Sequence, residues 1–317
     1  MKITVLDGYG LNPGDLSWDG FKEFGEISVF HRTSPSDLAE RIKDSEILLT
    51  NKTVIDAHAI ESVPNLKYIG VLATGFNVVD IEAAKRKGVV VTNIPSYSTM
   101  SVAQHVFALL LGVTDRPEHY ALEVAKGKWS ESKDFCYWNT DLIELCGKNF
   151  GIIGLGNIGS AVARIALAFG MNVLAYTSKE PAQLPSEVNK VSLENLLKDS
   201  DVISLHCPLT PSTKEIINHD SIKKMKEGVI LINTGRGALV NEEAVAEALG
   251  KGKIRAFCAD ILSTEPPAED NPLLKAPNTY ITPHIAWATK EARSRLMEIA
   301  LANLRNFLEG HPQNVVN

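Results

Sequence analysis

The sequence predicts an α/β protein built from two doubly wound parallel sheets. Three observations point to this fold class. Short β-rich runs alternate with helical stretches throughout the 317 residues, a second such rhythm starts near Phe150, and a glycine-rich turn opens that second half. Parallel strands are covered on both faces, so they read as continuous apolar runs separated by amphipathic helices. A chain of this length also exceeds the usual size of a single domain.

In the first half, residues 3–7, 27–30, 46–50, 68–72 and 89–91 read as strands, and 35–43 and 80–87 as helices between them. Asp80 is placed to cap the second of these helices. In the second half, six strands are expected at 150–153, 172–176, 202–206, 229–233, 256–260 and 280–282, enough for a complete dinucleotide-binding sheet. Between the halves, residues 101–113 form a strongly apolar helix (Val102, Val106, Leu109, Leu110, Val113), followed by a polar and aromatic stretch at 127–140. Residues 290–308 read as a last helix after the second sheet is finished. The division expected is one domain from 1–98 and 286–317, discontinuous in sequence, and a second from 99–285.

Composition narrows the function classes. The chain is 44% hydrophobic and 22% charged with a net charge of −6. That balance argues against nucleic acid or anionic lipid as the main partner, since both select basic surfaces. Cys136, Cys146, Cys207 and Cys258 form no CxxC pair and read as reduced thiols. The apolar start at Met1 stops after a strand's length, and no run approaches the ~18 apolar residues of a membrane span. A cytoplasmic protein is expected.

The sharpest local signal is Gly154-Leu155-Gly156-Asn157-Ile158-Gly159. It follows an apolar strand and opens a helix whose apolar positions Ile158, Val162, Ile165 and Phe169 share one face, which is the context a dinucleotide loop requires. Gly154 suits the tight turn, Gly156 close approach of backbone to a pyrophosphate, and Gly159 close packing of helix on strand. The helix start, with Asn157 and Ile158, then offers unpaired N–H groups to phosphate. NAD-type sites place a carboxylate about 20 residues on, at the end of the second strand. Here that position holds Thr177, followed by Ser178 and Lys179. Nothing there repels a 2′-phosphate, so NAD(H) and NADP(H) both stay open.

Three polar residues follow strands of the second half: Arg236 after 229–233, Glu265 after 256–260, and His284 after 280–282. The carboxyl ends of strands in a doubly wound sheet face the ligand crevice, so all three are expected beside the glycine loop. Singly, each has a bland explanation in a surface, capping or packed role; together they suit reduction of a 2-keto acid. Arginine clamps a carboxylate bidentately. Histidine, with an ordinary pKa of ~6.5, supplies the proton, and a glutamate on its far nitrogen fixes the tautomer. No spacing of His, Cys, Asp or Glu calls for a metal.

With these residues in view, the sequence resembles the D-isomer-specific 2-hydroxyacid dehydrogenase family over essentially its whole length. The matching motifs are Ala73-Thr74-Gly75-Phe76-Asn77, Ser101-Val102-Ala103-Gln104-His105, the glycine loop, His206-Cys207-Pro208-Leu209-Thr210, Asn233-Thr234-Gly235-Arg236-Gly237 and Pro283-His284. The resemblance implies a Rossmann coenzyme domain inserted into a flavodoxin-like substrate domain. It implies Arg236, Glu265 and His284 as the catalytic set, and the backbone of Thr74 and Gly75, with Arg236, as the substrate-carboxylate site. Asp260 corresponds to a residue that holds the nicotinamide carboxamide, Cys207 and Pro208 to a stretch along the adenosine half, and Thr234 to one beside the nicotinamide. It also implies a homodimer through the coenzyme domain, with the 101–113 helix near the contact. Within the family, residues 134–138 and 284–289 look most like glycerate dehydrogenases, also called hydroxypyruvate reductases. Trp287 is read with equal weight as a pocket wall or as packing. Glyoxylate, D-lactate and short phosphoglycerate dehydrogenases are the alternatives, as is a non-enzymatic, NAD(H)-sensing corepressor-like scaffold.

Overall fold

The computed structural model describes residues 1–317 and divides them into two compact units. The outer unit is Met1–Ser98 with Trp287–Asn317, and the inner unit is Thr99–Ala286. The return to the outer unit falls one residue later than the division expected at 285/286. Ala286 is tied inward because its N–H donates to the Asp260 carboxylate at 2.8 Å.

The outer unit contains five parallel strands: β1 Lys2–Val5, β2 Glu26–Val29, β3 Ile47–Thr50, β4 Tyr68–Val71 and β5 Val90–Thr92. Their order, β2-β1-β3-β4-β5, is the flavodoxin-like one, with the direction of winding reversing between β1 and β3. Every residue of β3 and β4 is buried, as continuous apolar runs require. Ala59, Ile60, Ala83 and Ala84, from the short helices Ala57–Ser62 and Ile81–Lys87, cover one face with Leu48, Ile69 and Val91. Asp80 caps the second of these, accepting from Ala83 N–H at 2.9 Å.

The opposite face is covered by the long helix Lys290–Leu308, whose Leu296, Ala300 and Leu304 pack on Ile3, Val5, Ile47 and Leu49. Its spacing of apolar residues at i, i+4 and i+8 supplies the stripe this requires. The chain end then pairs with β5, where Val316 N–H donates to Val91 O at 2.9 Å. Trp287 meets Tyr97 edge-on at 6.4 Å and joins this core, the packing role. Arg293 is buried on the same helix. Its guanidinium reaches both Asp15 oxygens at 2.7 Å, Leu11 O at 3.0 Å and Ala288 O at 2.9 Å.

The inner unit holds seven parallel strands: β6 Asn149–Ile153, β7 Asn172–Tyr176, β8 Val188–Lys190, β9 Val202–Leu205, β10 Val229–Asn233, β11 Ile254–Ala259 and β12 Thr279–Ile281. Six were expected. The extra one, β8, pairs with β7 at the sheet edge and has only Val188 buried, so its three residues carry no apolar run. The order β8-β7-β6-β9-β10-β11-β12 is the doubly wound dinucleotide-binding order with one further strand at the far edge. Winding reverses between β6 and β9, which makes their carboxyl ends the expected crevice. Helices Thr99–Thr114 and Asn157–Ala168 cover one face through Val106, Leu110, Val162 and Ala166. Helices Leu193–Asp199, His219–Lys224 and Glu242–Gly250 cover the other. No helix is long and apolar enough to cross a membrane.

Replacing Arg293 tests how the returning helix is held. Arg293→Leu leaves the Leu11 and Ala288 carbonyls and the Asp15 carboxylate without their donor. Asp15 is partly exposed and adds little, so the two carbonyl bonds set an expected loss of about 2 kcal/mol. Urea denaturation of the full chain measures it, and a loss below about 0.5 kcal/mol, the size of an ordinary surface substitution, would contradict this role.

Candidate active site at the carboxyl edge of the inner sheet

The glycine turn begins where β6 ends. Gly154 adopts φ +97°, and a Cβ there would sit 2.5 Å from Cys207 N, so the turn closes against the chain leaving β9. A Cβ on Gly159 would lie 2.2 Å from Gly154 O, which shows how tightly the helix start is drawn onto the turn. Gly156 is different: a Cβ there meets nothing within 4 Å. It is the N-cap of helix Asn157–Ala168, and no side chain caps that end. An open glycine beside an uncapped helix start is an anion cradle. At the next strand but one, Thr234 Oγ1 is enclosed and has no hydrogen-bond partner in the protein. A buried hydroxyl without a partner calls for a ligand or water. Cradle and orphaned hydroxyl together fit a dinucleotide lying along this edge.

The remaining cofactor candidates stand on the same edge. After β7, Thr177 Oγ1 accepts from Lys179 N–H at 3.2 Å, and Lys190 Nζ donates to Lys179 O at 2.6 Å. The turn is thus held without any carboxylate. After β9, Cys207 is half-buried, and burial pushes its thiol up, away from thiolate reactivity. Pro208 O accepts from Thr213 Oγ1 at 2.7 Å. His206, between β9 and Cys207, shares a hydrogen with Ser204 Oγ at 2.8 Å, and burial pushes its imidazole down to about 4.

The polar candidates fall into an assembled pair and two separate members. His284 Nδ1 lies 2.7 Å from Glu265 Oε2, while Glu265 Oε1 accepts from Leu262 N–H at 3.2 Å. A carboxylate only accepts, so Nδ1 carries a hydrogen and Nε2 is left for a substrate. His284 itself has φ +56°, a left-handed conformation unusual for a non-glycine residue. Arg236, exposed after β10, bonds Gly235 O at 2.8 Å and joins no ion pair, so its guanidinium is not drawn into the Glu265–His284 pair. In the outer unit, Thr74 Oγ1 donates to Ile94 O at 2.8 Å, and Thr74 O accepts from Asn93 Nδ2 at 2.7 Å.

Asp260 directly follows β11 and is buried. It is 2% exposed, and its carboxylate accepts from Thr282 Oγ1 at 2.6 Å, Ile285 N–H at 2.8 Å and Ala286 N–H at 2.8 Å. It organises the turn that carries His284. Sequence reasoning missed this function, along with His105, whose Nε2 lies 2.9 Å from Thr282 Oγ1. The available signal was a histidine interrupting the apolar face of the Thr99–Thr114 helix.

A doubly wound sheet with a glycine cradle at its switch point and an acid–base pair on the same edge defines a nicotinamide-dinucleotide dehydrogenase. Residues 107–286 match the model of the D-isomer specific 2-hydroxyacid dehydrogenase, NAD binding domain. The chain is 52% identical over 321 residues to a hydroxypyruvate reductase of Blautia hydrogenotrophica, covering 100% of each. It is 42% identical to a glycerate dehydrogenase of Methylorubrum extorquens, covering 99% of this chain and 98% of the relative. An acyclic imino acid reductase (Bsp5), solved in complex with NADPH and D-Arg, superposes with a TM-score of 0.85 at 32% identity over 100% of both chains. The chain belongs to the D-isomer-specific 2-hydroxyacid dehydrogenase family. It is an NAD(P)-dependent oxidoreductase that acts on the CH–OH group of small D-2-hydroxy acids and on the corresponding 2-keto acids.

Two outcomes follow from this geometry. Gly159→Ala pushes the helix start off Gly154 and is expected to weaken NADH binding at least about tenfold, since the phosphate cradle depends on that close packing; fluorescence titration reads it, and unchanged affinity would contradict the fit. His206, held neutral when folded, contributes stability that is present above its ordinary value of 6.5 and lost progressively as pH falls to about 4. The melting temperature of His206→Gln is therefore expected to fall less between pH 7.5 and pH 5 than that of the wild type. Equal falls would remove His206 from the acid limb.

Proposed function

We propose that this chain reduces hydroxypyruvate to D-glycerate, with glyoxylate as a poorer substrate and His284 as the proton donor. The observation that carries the mechanism is the 2.7 Å bond between His284 Nδ1 and Glu265, on the same edge of the sheet as the glycine cradle. The substrate assignment is supported by the hydroxypyruvate reductase and glycerate dehydrogenase among its relatives.

Gly154, Gly156 and Gly159, with the helix start at Asn157 and Ile158, hold the pyrophosphate. Thr177, Ser178 and Lys179 meet the adenosine ribose, Cys207 and Pro208 flank the adenosine half, and Thr234 Oγ1 meets the nicotinamide end. When bound, the nicotinamide supplies the hydride for the carbonyl carbon. His284 Nε2 gives its proton to the carbonyl oxygen, which becomes the hydroxyl, and Glu265 stabilises the imidazolium before the transfer and holds the ring afterwards. Arg236 clamps the substrate carboxylate bidentately.

Either dinucleotide fits the turn after β7. Lys179→Ala is expected to weaken NADPH binding several-fold while leaving NADH within about twofold, because only the 2′-phosphate offers the lysine a charge; equal effects on both would remove Lys179 from the subsite. A homodimer through the inner unit fits the exposed side chains Trp129, Phe135 and Trp138. The 101–113 helix is a weaker candidate for that contact than the stretch after it, since Val106, Leu109, Leu110 and Val113 are spent in the unit's own core.

A panel of keto acids assayed with NADH and NADPH tests the substrate. Hydroxypyruvate is expected to give the highest kcat/KM; a rank below pyruvate or bulkier keto acids would overturn the assignment, and no turnover on any would favour a cofactor-sensing scaffold. His284→Ala is expected to lower kcat at least about a hundredfold, the usual contribution of general acid catalysis, with NADH affinity nearly unchanged.

A further inference from the structure

We propose that His105 is a positioning residue for His284, acting through the Thr282 hydroxyl and the Asp260 carboxylate. The proposal rests on His284 being the acid–base group. All four residues lie in the inner unit, and three bonds join them in series.

Hydrogen counting fixes the direction of the series. Thr282 has one hydroxyl hydrogen, and its 2.6 Å contact is to Asp260 Oδ1, which only accepts. The Thr282 oxygen therefore accepts at its other contact, from His105 Nε2–H at 2.9 Å. Without that donor the hydroxyl has a second acceptor within reach, Ala259 O at 3.4 Å. His105 thus determines which way the hydroxyl points. Its ring lies 3.6 Å from Asp260 Oδ1 as well.

What Asp260 does with this support is visible in the backbone. Its two oxygens take Ile285 N–H and Ala286 N–H, the two residues after His284, and its own carbonyl takes His284 N–H at 2.8 Å. His284 is held on both sides in a left-handed conformation, φ +56°, that an L-residue adopts only under strain. A turn under that strain relaxes when its clamp loosens, and an imidazole displaced by an ångström loses much of its catalytic advantage. The polar partners of His105 are Thr282 and Asp260 and not Glu265 or the glycine turn, so its influence falls on proton transfer and not on cofactor binding.

The test compares His105→Leu, His105→Gln and His284→Ala in the full chain, reading kcat and KM for the keto acid, NADH affinity and melting temperature. His105→Leu is expected to lower kcat roughly ten- to hundredfold, as misplacement of a reacting group does, with NADH affinity within about twofold. His105→Gln, whose amide N–H2 can still donate to Thr282, is expected to recover most of the loss. The double variant His105→Leu/Thr282→Val is expected to be no slower than Thr282→Val alone, because both break one series. Wild-type kcat in His105→Leu, or the absence of recovery in His105→Gln, would overturn the proposal. Loss of NADH affinity alongside kcat would do the same, by assigning His105 a general structural role. Full activity in His284→Ala would instead overturn the acid–base reading on which it stands.

Discussion

A carboxylate removed from water needs partners for both oxygens, and Asp260 finds them in the segment that follows β12. Thr282, Ile285 and Ala286 all donate to it. The consequence is geometric. A buried charge with three donors is expensive to disturb, so the turn between Thr282 and Ala286 has one conformation, and His284 occupies its strained apex. Glu265 then needs only to accept from Nδ1 to leave Nε2 free. The position of the proton donor therefore traces back to a side chain that takes no part in proton transfer, and the chain's return to the outer unit begins only after the last of its donors, Ala286.

The cofactor edge obeys a second constraint, that of close backbone packing. Gly154 and Gly159 lack room for a Cβ, whereas Gly156 has room to spare. Two glycines draw β6, the helix start and the chain leaving β9 together, and the third leaves space for a ligand. Placing both features at the reversal between β6 and β9 makes this edge the crevice of the sheet.

Much of this was legible in the sequence because it is local. Fully buried strands such as β3, β4 and β10 announce themselves as apolar runs, and Asp80 reads as a cap because capping spans only three residues. The glycine loop and the three strand-end residues stood out for the same reason. β8 did not, because a three-residue edge strand with one buried side chain has no pattern to read. Helices such as Pro117–Ala125 and His219–Lys224 are short and were not singled out either. The Asp260 network was out of reach for a different reason. His105 and Thr282 are 177 residues apart, and nothing in either local sequence shows that they meet. The resemblance marks Asp260 only as a nicotinamide contact; its bonds to Thr282, Ile285 and Ala286 span 22 to 26 residues and leave no local pattern.

The central claim is that Glu265 keeps His284 protonated on Nδ1 so that one imidazole nitrogen exchanges the proton in both directions. Reduction then needs the imidazolium, and oxidation of the hydroxy acid needs the neutral ring. The most direct measurement is kcat/KM in both directions for the wild type and Glu265→Gln, with NADH affinity read alongside. The account predicts that the variant loses kcat/KM in reduction and in oxidation alike, with NADH affinity nearly unchanged, because the same imidazole orientation serves both directions. Wild-type kcat/KM in the variant, or a loss confined to one direction, would contradict it.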